Sequence, residues 1–202
     1  TSRHLVEPAY QTGLVTKTQD IEQAHLVYGF PWYAQGDPRR FAGSVLTSVL
    51  GGSMSSRLFQ EVREKRGLVY SIFATQSAYQ GAGLWCVYAG TRLANVAEAK
   101  TLIEAELRRI SEELVPQEEL QRNIDLICGQ LALGFETSAA HMNRLGKRAA
   151  LGLPQDSLDE LIEQYRLVDA NTIRDLAQAY LTKEPLLALV SPASEQEVLQ
   201  LI

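Results

Sequence analysis

The stretch "SSRLFQEVREKRGLVYS", residues 55–71, reads as a charged helix that stops at a glycine and turns straight into an apolar strand. Gly67 suits the left-handed position that ends a helix. The strand from Leu68 must then fold back along the helix. Four residues of helix rise about 6 Å, and three residues of strand extend about 10 Å. A reversal at Gly67 can therefore bring the side chains of Arg63 and Tyr70 together. Arg63 offers a fork of charged donors and Tyr70 one phenolic donor. Such a pair can grip a carbonyl oxygen. The residues alone favour a second reading: a solvated helix arginine and an interior tyrosine.

Outward from this corner the chain alternates between strand and helix patterns. Upstream, 13–18 and 22–30 read as strands, the second with Ala24, Leu26, Tyr28 and Phe30 on one face. "GDPRRFAGSVLTSVLGG" reads as a helix with Asp37 as N-cap, Pro38 at the first turn and Gly51 at its end. "SMSSRLFQEVREKRG" follows as a shorter, serine-capped helix. Downstream, "LVYSIFATQSAY" and "GLWCVYAGT" read as a hairpin joined by "QGAG". Helices then dominate: one over 95–114, one opening at Pro116, and further segments, of which one carries capping-box spacing at Ser157 and Glu160. "EPLLALVSP" closes as a strand. This order predicts an α+β, two-layer sandwich: a largely antiparallel sheet with helices packed on one face. Residues 1–202 are expected to form a single domain, with 1–12 linker-like.

Composition narrows the function classes. The 202 residues are 46% hydrophobic and 21% charged, with a net charge of −5 and no block of like charge. Nonspecific nucleic-acid binding needs a basic footprint, which is missing. No apolar run approaches the roughly 20 residues of a membrane span, and "TSRHLVEPAYQTG" has no apolar signal-peptide core. A soluble protein of undetermined compartment is expected. Without an initiator Met, the chain also reads as a processed piece. Cys86 and Cys128 read as small buried apolar residues.

Metal and nucleophile chemistry find little support. Helical metal pairs need two ligands one turn apart on one face. None of His4, His25 and His141 has such a His, Cys or Glu partner. No metal ligand is therefore assigned. "GGSMSS" (51–56) leads into a helix but lacks the spacing and Lys of a phosphate loop. No histidine is placed to activate one of its serines.

The stretch "GGSMSSRLFQEVREKRGLVYSI" resembles the signature of the C-terminal, zinc-free half of pitrilysin (insulinase) family zinc peptidases, in particular the branch like mitochondrial processing peptidase. "VPQEELQRNIDLICGQLALGFETSAAHMNRLGKRAALG" and "VDANTIRDLAQAYLTKEPLLALVSP" are similar to the segments that follow it. The resemblance implies one half of a larger clamshell enzyme. A partner domain or subunit would carry zinc on an HxxEH motif, while this half supplies an arginine and a tyrosine seven residues apart. Arg63 and Tyr70 match that spacing, which implies that they bind the substrate's peptide backbone. HxxEH is absent here, so no catalytic residue and no cofactor are expected in this chain, and alone it should be inactive. The motif also contains Ser55, Arg57 and Phe59, read as cap, surface and core positions. The rival reading is a noncatalytic core subunit of the same fold.

Overall fold

A computed structural model describes residues 8–201. Five strands form one sheet in the order β1-β5-β2-β4-β3. They are β1 (Gly13–Thr18), β2 (Ala24–Trp32), β3 (Val69–Tyr79), β4 (Ala82–Thr91) and β5 (Leu186–Ser191). β1 and β5 run parallel; every other pairing is antiparallel. Among the described residues seven α-helices accompany them: α1 (Arg40–Gly51), α2 (Val96–Glu112), α3 (Gln117–Gly134), α4 (Ser138–Ala150), α5 (Leu158–Arg166), α6 (Ala170–Leu181) and α7 (Glu195–Leu201).

Alternation along the strands sets the two faces. On β2, Ala24, Leu26, Tyr28, Phe30 and Trp32 are buried, joined by Trp85, Val87 and Ala89 of β4 and Leu187 and Leu189 of β5. This face is covered by helices. α1 packs on β3, α3 and α6, and α2 packs on α6. Both interior tryptophan nitrogens find partners: Trp85 Nε1 donates to Thr47 at 2.9 Å, and Trp32 Nε1 donates to Gln76 at 2.8 Å. On the opposite face Val15, Phe73, Tyr79 and Leu84 remain exposed. The α+β sandwich with one helix-covered face is thus the observed architecture.

Several local expectations change in their physical reason. The first helix starts at Arg40. The Asp37 carboxylate caps the turn before it, accepting from the Arg39 amide at 2.8 Å, and Pro38 lies in that turn. Gly51 is the last residue of α1, as expected, and glycine is needed there because a Cβ would lie 2.2 Å from the Ala74 amide nitrogen of β3. The hairpin turn is Gln80–Gly81 alone, with Gly81 at φ +85°. Residues 1–7 of the expected linker lie outside the described residues. The segment from Pro8 is irregular but tied down: the Tyr10 hydroxyl lies 2.8 Å from the Gly29 carbonyl and accepts from the Leu186 amide at 3.2 Å. Cys86 and Cys128 are free and half-buried rather than fully buried. α7 was not expected; its signal is the capping box of Ser194 and Glu197, whose carboxylate accepts from the Ser194 amide at 2.8 Å.

Candidate functional site

The corner at Gly67 is built by an unusual helix end. After the irregular turn at 52–56, helical structure begins at Arg57 and becomes π-helical over Phe59–Glu64. The expected serine caps do not form. The Ser56 hydroxyl donates to the Ser53 carbonyl at 2.6 Å instead of accepting a helix amide, and Ser55 is exposed, its hydroxyl 3.0 Å from that of Ser53. The wide turn shows in the hydrogen bonds: Lys65 N–H donates to Gln60 O at 3.0 Å, five residues back. Gly67 takes φ +62°, its amide donating to Arg63 O at 2.8 Å. The Leu68 amide then reaches Val62 O at 3.1 Å and closes the reversal. Thr91 Oγ1 and Asn95 Nδ2 both donate to the Leu68 carbonyl, at 2.5 and 3.1 Å. The corner is therefore fixed by backbone bonds on the helix side and by side-chain donors on the strand side. π-turns of this kind are frequent at functional sites.

Strand β3 begins with a second irregularity. Val69 pairs with Thr91 and Ser71 with Gly90, leaving Tyr70 as the extra residue of a β-bulge. Bulges re-aim side chains. Tyr70 is 46% exposed, so the interior-tyrosine reading does not hold. Its hydroxyl accepts from Arg92 Nε at 2.8 Å, which leaves its own proton available to donate. The same bond raises the Arg92 pKa.

Arg63 is also exposed, and its guanidinium stacks on Phe59, 4.8 Å from the ring centroid. Among the described residues it has no ion-pair partner. Lys65 and Arg66, by contrast, converge on Glu61 at 2.5 and 3.2 Å. The hydrogen bond from Lys65 leads in holding the Glu61 carboxyl below its ordinary range. Arg63 and Tyr70 do not hydrogen-bond to each other; each has its own support, Phe59 and Arg92. Sequence reasoning missed Arg92. A two-residue turn at Gln80–Gly81, counted back along a regular ladder, sets Tyr70 opposite Thr91; the bulge breaks that count, and no residue pattern announces it.

Arg57 corrects another expectation. It is not a surface residue: it is 8% exposed and makes a bidentate pair with Glu119 of α3, at 2.9 and 2.8 Å. Phe59 is half-buried and packs against the core while carrying Arg63.

Among the described residues, no three His, Cys, Asp or Glu side chains converge as a metal set. His25 lies on the open sheet face, its Nδ1 2.7 Å from the Tyr88 hydroxyl, and His141 is exposed on α4. His4 lies outside the described residues. Among them, too, no helix is long and apolar enough to cross a membrane.

The family model described as "Peptidase M16 inactive domain" matches residues 4–127, and the chain belongs to that family. It is 38% identical to an uncharacterized zinc protease of Streptomyces coelicolor over 89% of this chain and 39% of that protein. It is 35% identical to an uncharacterized zinc protease of Bacillus subtilis, over 94% and 46% respectively. The chain thus spans less than half the length of these relatives. Its fold matches a peptidase M16 inactive domain from Pseudomonas fluorescens with a TM-score of 0.80 at 21% identity, covering 90% of this chain and 43% of that one. A chain of Complex III2 from Candida albicans also matches, with a TM-score of 0.80 at 16% identity, over 92% and 47%.

Proposed function

We propose that this chain is the non-metal-binding half of a zinc metalloendopeptidase. In this reading residues 1–202 are one domain of a larger clamshell, and an HxxEH-bearing domain or subunit performs the hydrolysis. Arg63 and Tyr70 bind the backbone of the peptide substrate. The observation that carries the reading is the bulged, exposed Tyr70, whose hydroxyl is oriented by Arg92 beside a corner whose arginine meets no carboxylate among the described residues. A guanidinium and a phenol held this way lose little freedom when a carbonyl oxygen arrives. Zinc in the partner half would polarise the scissile carbonyl and lower the pKa of its water.

The test is reconstitution with the HxxEH-bearing half. The expected result is peptide cleavage that neither half shows alone. Arg63→Ala then lowers kcat/KM by about tenfold or more, the loss of a charge-assisted hydrogen bond, and Tyr70→Phe by about threefold to tenfold, the loss of a neutral one. Variants that cleave like the parent would remove the donor-pair role. The rival, a noncatalytic core subunit, is supported by fold likeness alone, and it predicts no cleavage from the reconstituted pair.

A further inference from the structure

A cavity lies at the far end of β3 from the corner. Ala78, on its wall, is eight residues beyond Tyr70 along β3, roughly 26 Å of extended strand. The cavity measures about 280 Å³, toward the small end of small-molecule sites. Its wall combines apolar surface from Tyr33 and Leu153 with four cations: Arg40 of α1 and Arg144, Lys147 and Arg148 of α4.

The charge on this wall is not balanced. One carboxylate, Asp156, serves two of the arginines: Arg40 at 3.3 Å and Arg148 through a shorter contact. Arg144 reaches the Asp156 backbone carbonyl at 2.5 Å, and no ion pair is formed by it or by Lys147 among the described residues. Burial, and next to it the Arg148 charge, hold the Arg144 pKa below its ordinary value, as expected of like charges gathered without enough counter-charge. Arg40 adds a second anomaly. It stands in the first turn of α1, where no acidic side chain stands. A cation at a helix N-terminus opposes the macrodipole. Lys147 and Arg148 at the end of α4 complement their own helix, but Arg40 does not. Local rules broken at one place are expected where a ligand supplies the compensation.

We propose that this cavity binds a carboxylate or phosphate group carried on a small apolar body. The oxyanion sits among Arg40, Arg144 and Lys147, and the apolar body lies against Tyr33 and Leu153. Tyr33 contributes its ring and not its hydroxyl. That hydroxyl is engaged with Gln76 at 2.7 Å, and burial pushes its pKa to about 12.

Calorimetric titration of the 202-residue chain tests the site with three probes of similar shape: 3-phenylpropionate, phenyl phosphate and neutral 3-phenylpropanamide. At least one anion is expected to bind at a single site ten times or more tighter than the amide, with affinity falling as salt is raised. The tighter anion identifies the preferred group. Lys147→Glu should weaken that anion at least tenfold without moving the melting temperature, and Arg144→Gln should weaken it independently. Anions that bind no better than the amide would overturn the proposal. So would anion binding that both variants leave unchanged.

Discussion

Two arginines six residues apart in the corner sequence serve opposite ends of one short helix. Arg57 faces inward, almost fully buried, and spends its fork on Glu119. Arg63 faces outward, rests its plane on Phe59, and meets no carboxylate among the described residues. Residue type is the same for both. The difference lies in what the helix packs against. One side meets α2 and, through Arg57, α3; the other runs out into the Gly67 corner. A motif read from sequence therefore mixes residues that build the corner with residues that the corner presents.

Substitutions can break that division or sharpen it. The largest effect is expected from Arg57→Ala. It strands Glu119 without its partner and should cost about 3–5 kcal/mol, the range for halving a buried pair. Urea denaturation measures this, and Arg57→Met with Glu119→Leu should recover most of the loss. A small loss in the single variant would place Arg57 with the presented residues. Gly51→Ala comes next, at about 1–3 kcal/mol, because the added methyl collides with the β3 backbone that the corner feeds into. Gly67→Ala should cost about 1 kcal/mol. No atom crowds that position, so the penalty is the left-handed φ alone.

The inward side also carries a pH signature. Glu106 of α2 is buried, and its Oε2 has no hydrogen-bond partner among the described residues. Burial holds its carboxyl pKa above the ordinary 4.5. The folded state thus binds the proton more tightly than the unfolded chain. This contribution is complete below pH 4.5 and is lost as pH rises through the folded value. Glu106→Gln should raise the melting temperature at neutral pH and flatten its decline above pH 4.5. A melting profile parallel to the parent's would remove this assignment. The smallest effects belong to the presented residues. Arg63→Ala and Tyr70→Phe should each stay within about 0.5 kcal/mol of the parent in the same denaturation experiment. A larger loss would make them part of the scaffold.

How much the sequence disclosed follows the same division. Periodicity found β1, β2, the hairpin strands, β5 and the long helices, because burial on one face dictates the pattern directly. Ser157 and Glu160 announced their helix through a capping box that forms as expected, the Ser157 amide donating to Glu160 at 2.6 Å. α7 carried the same signal at Ser194 and Glu197 and was passed over. The stop at Gly67 was legible because a left-handed helix end is a local property of the chain. Arg92 was not legible, since it meets Tyr70 through a bulge that depends on the whole hairpin's register. Arg57 was misread because its burial is decided by Glu119, sixty-two residues away. The basic cavity was hidden for a similar reason: Arg40 and Arg148 are brought together by tertiary folding and share one aspartate.

The wide turns over Phe59–Glu64 have a consequence for how the corner could be reset. Such a stretch accommodates one surplus link relative to ordinary helical winding. Excising Gln60 would let the winding tighten and swing Arg63 by about 100° around the axis, leaving its chemistry intact but its aim wrong. The heading of this guanidinium is thus stored in how many peptide units precede it, and a single-codon deletion would act on it as a rotary switch.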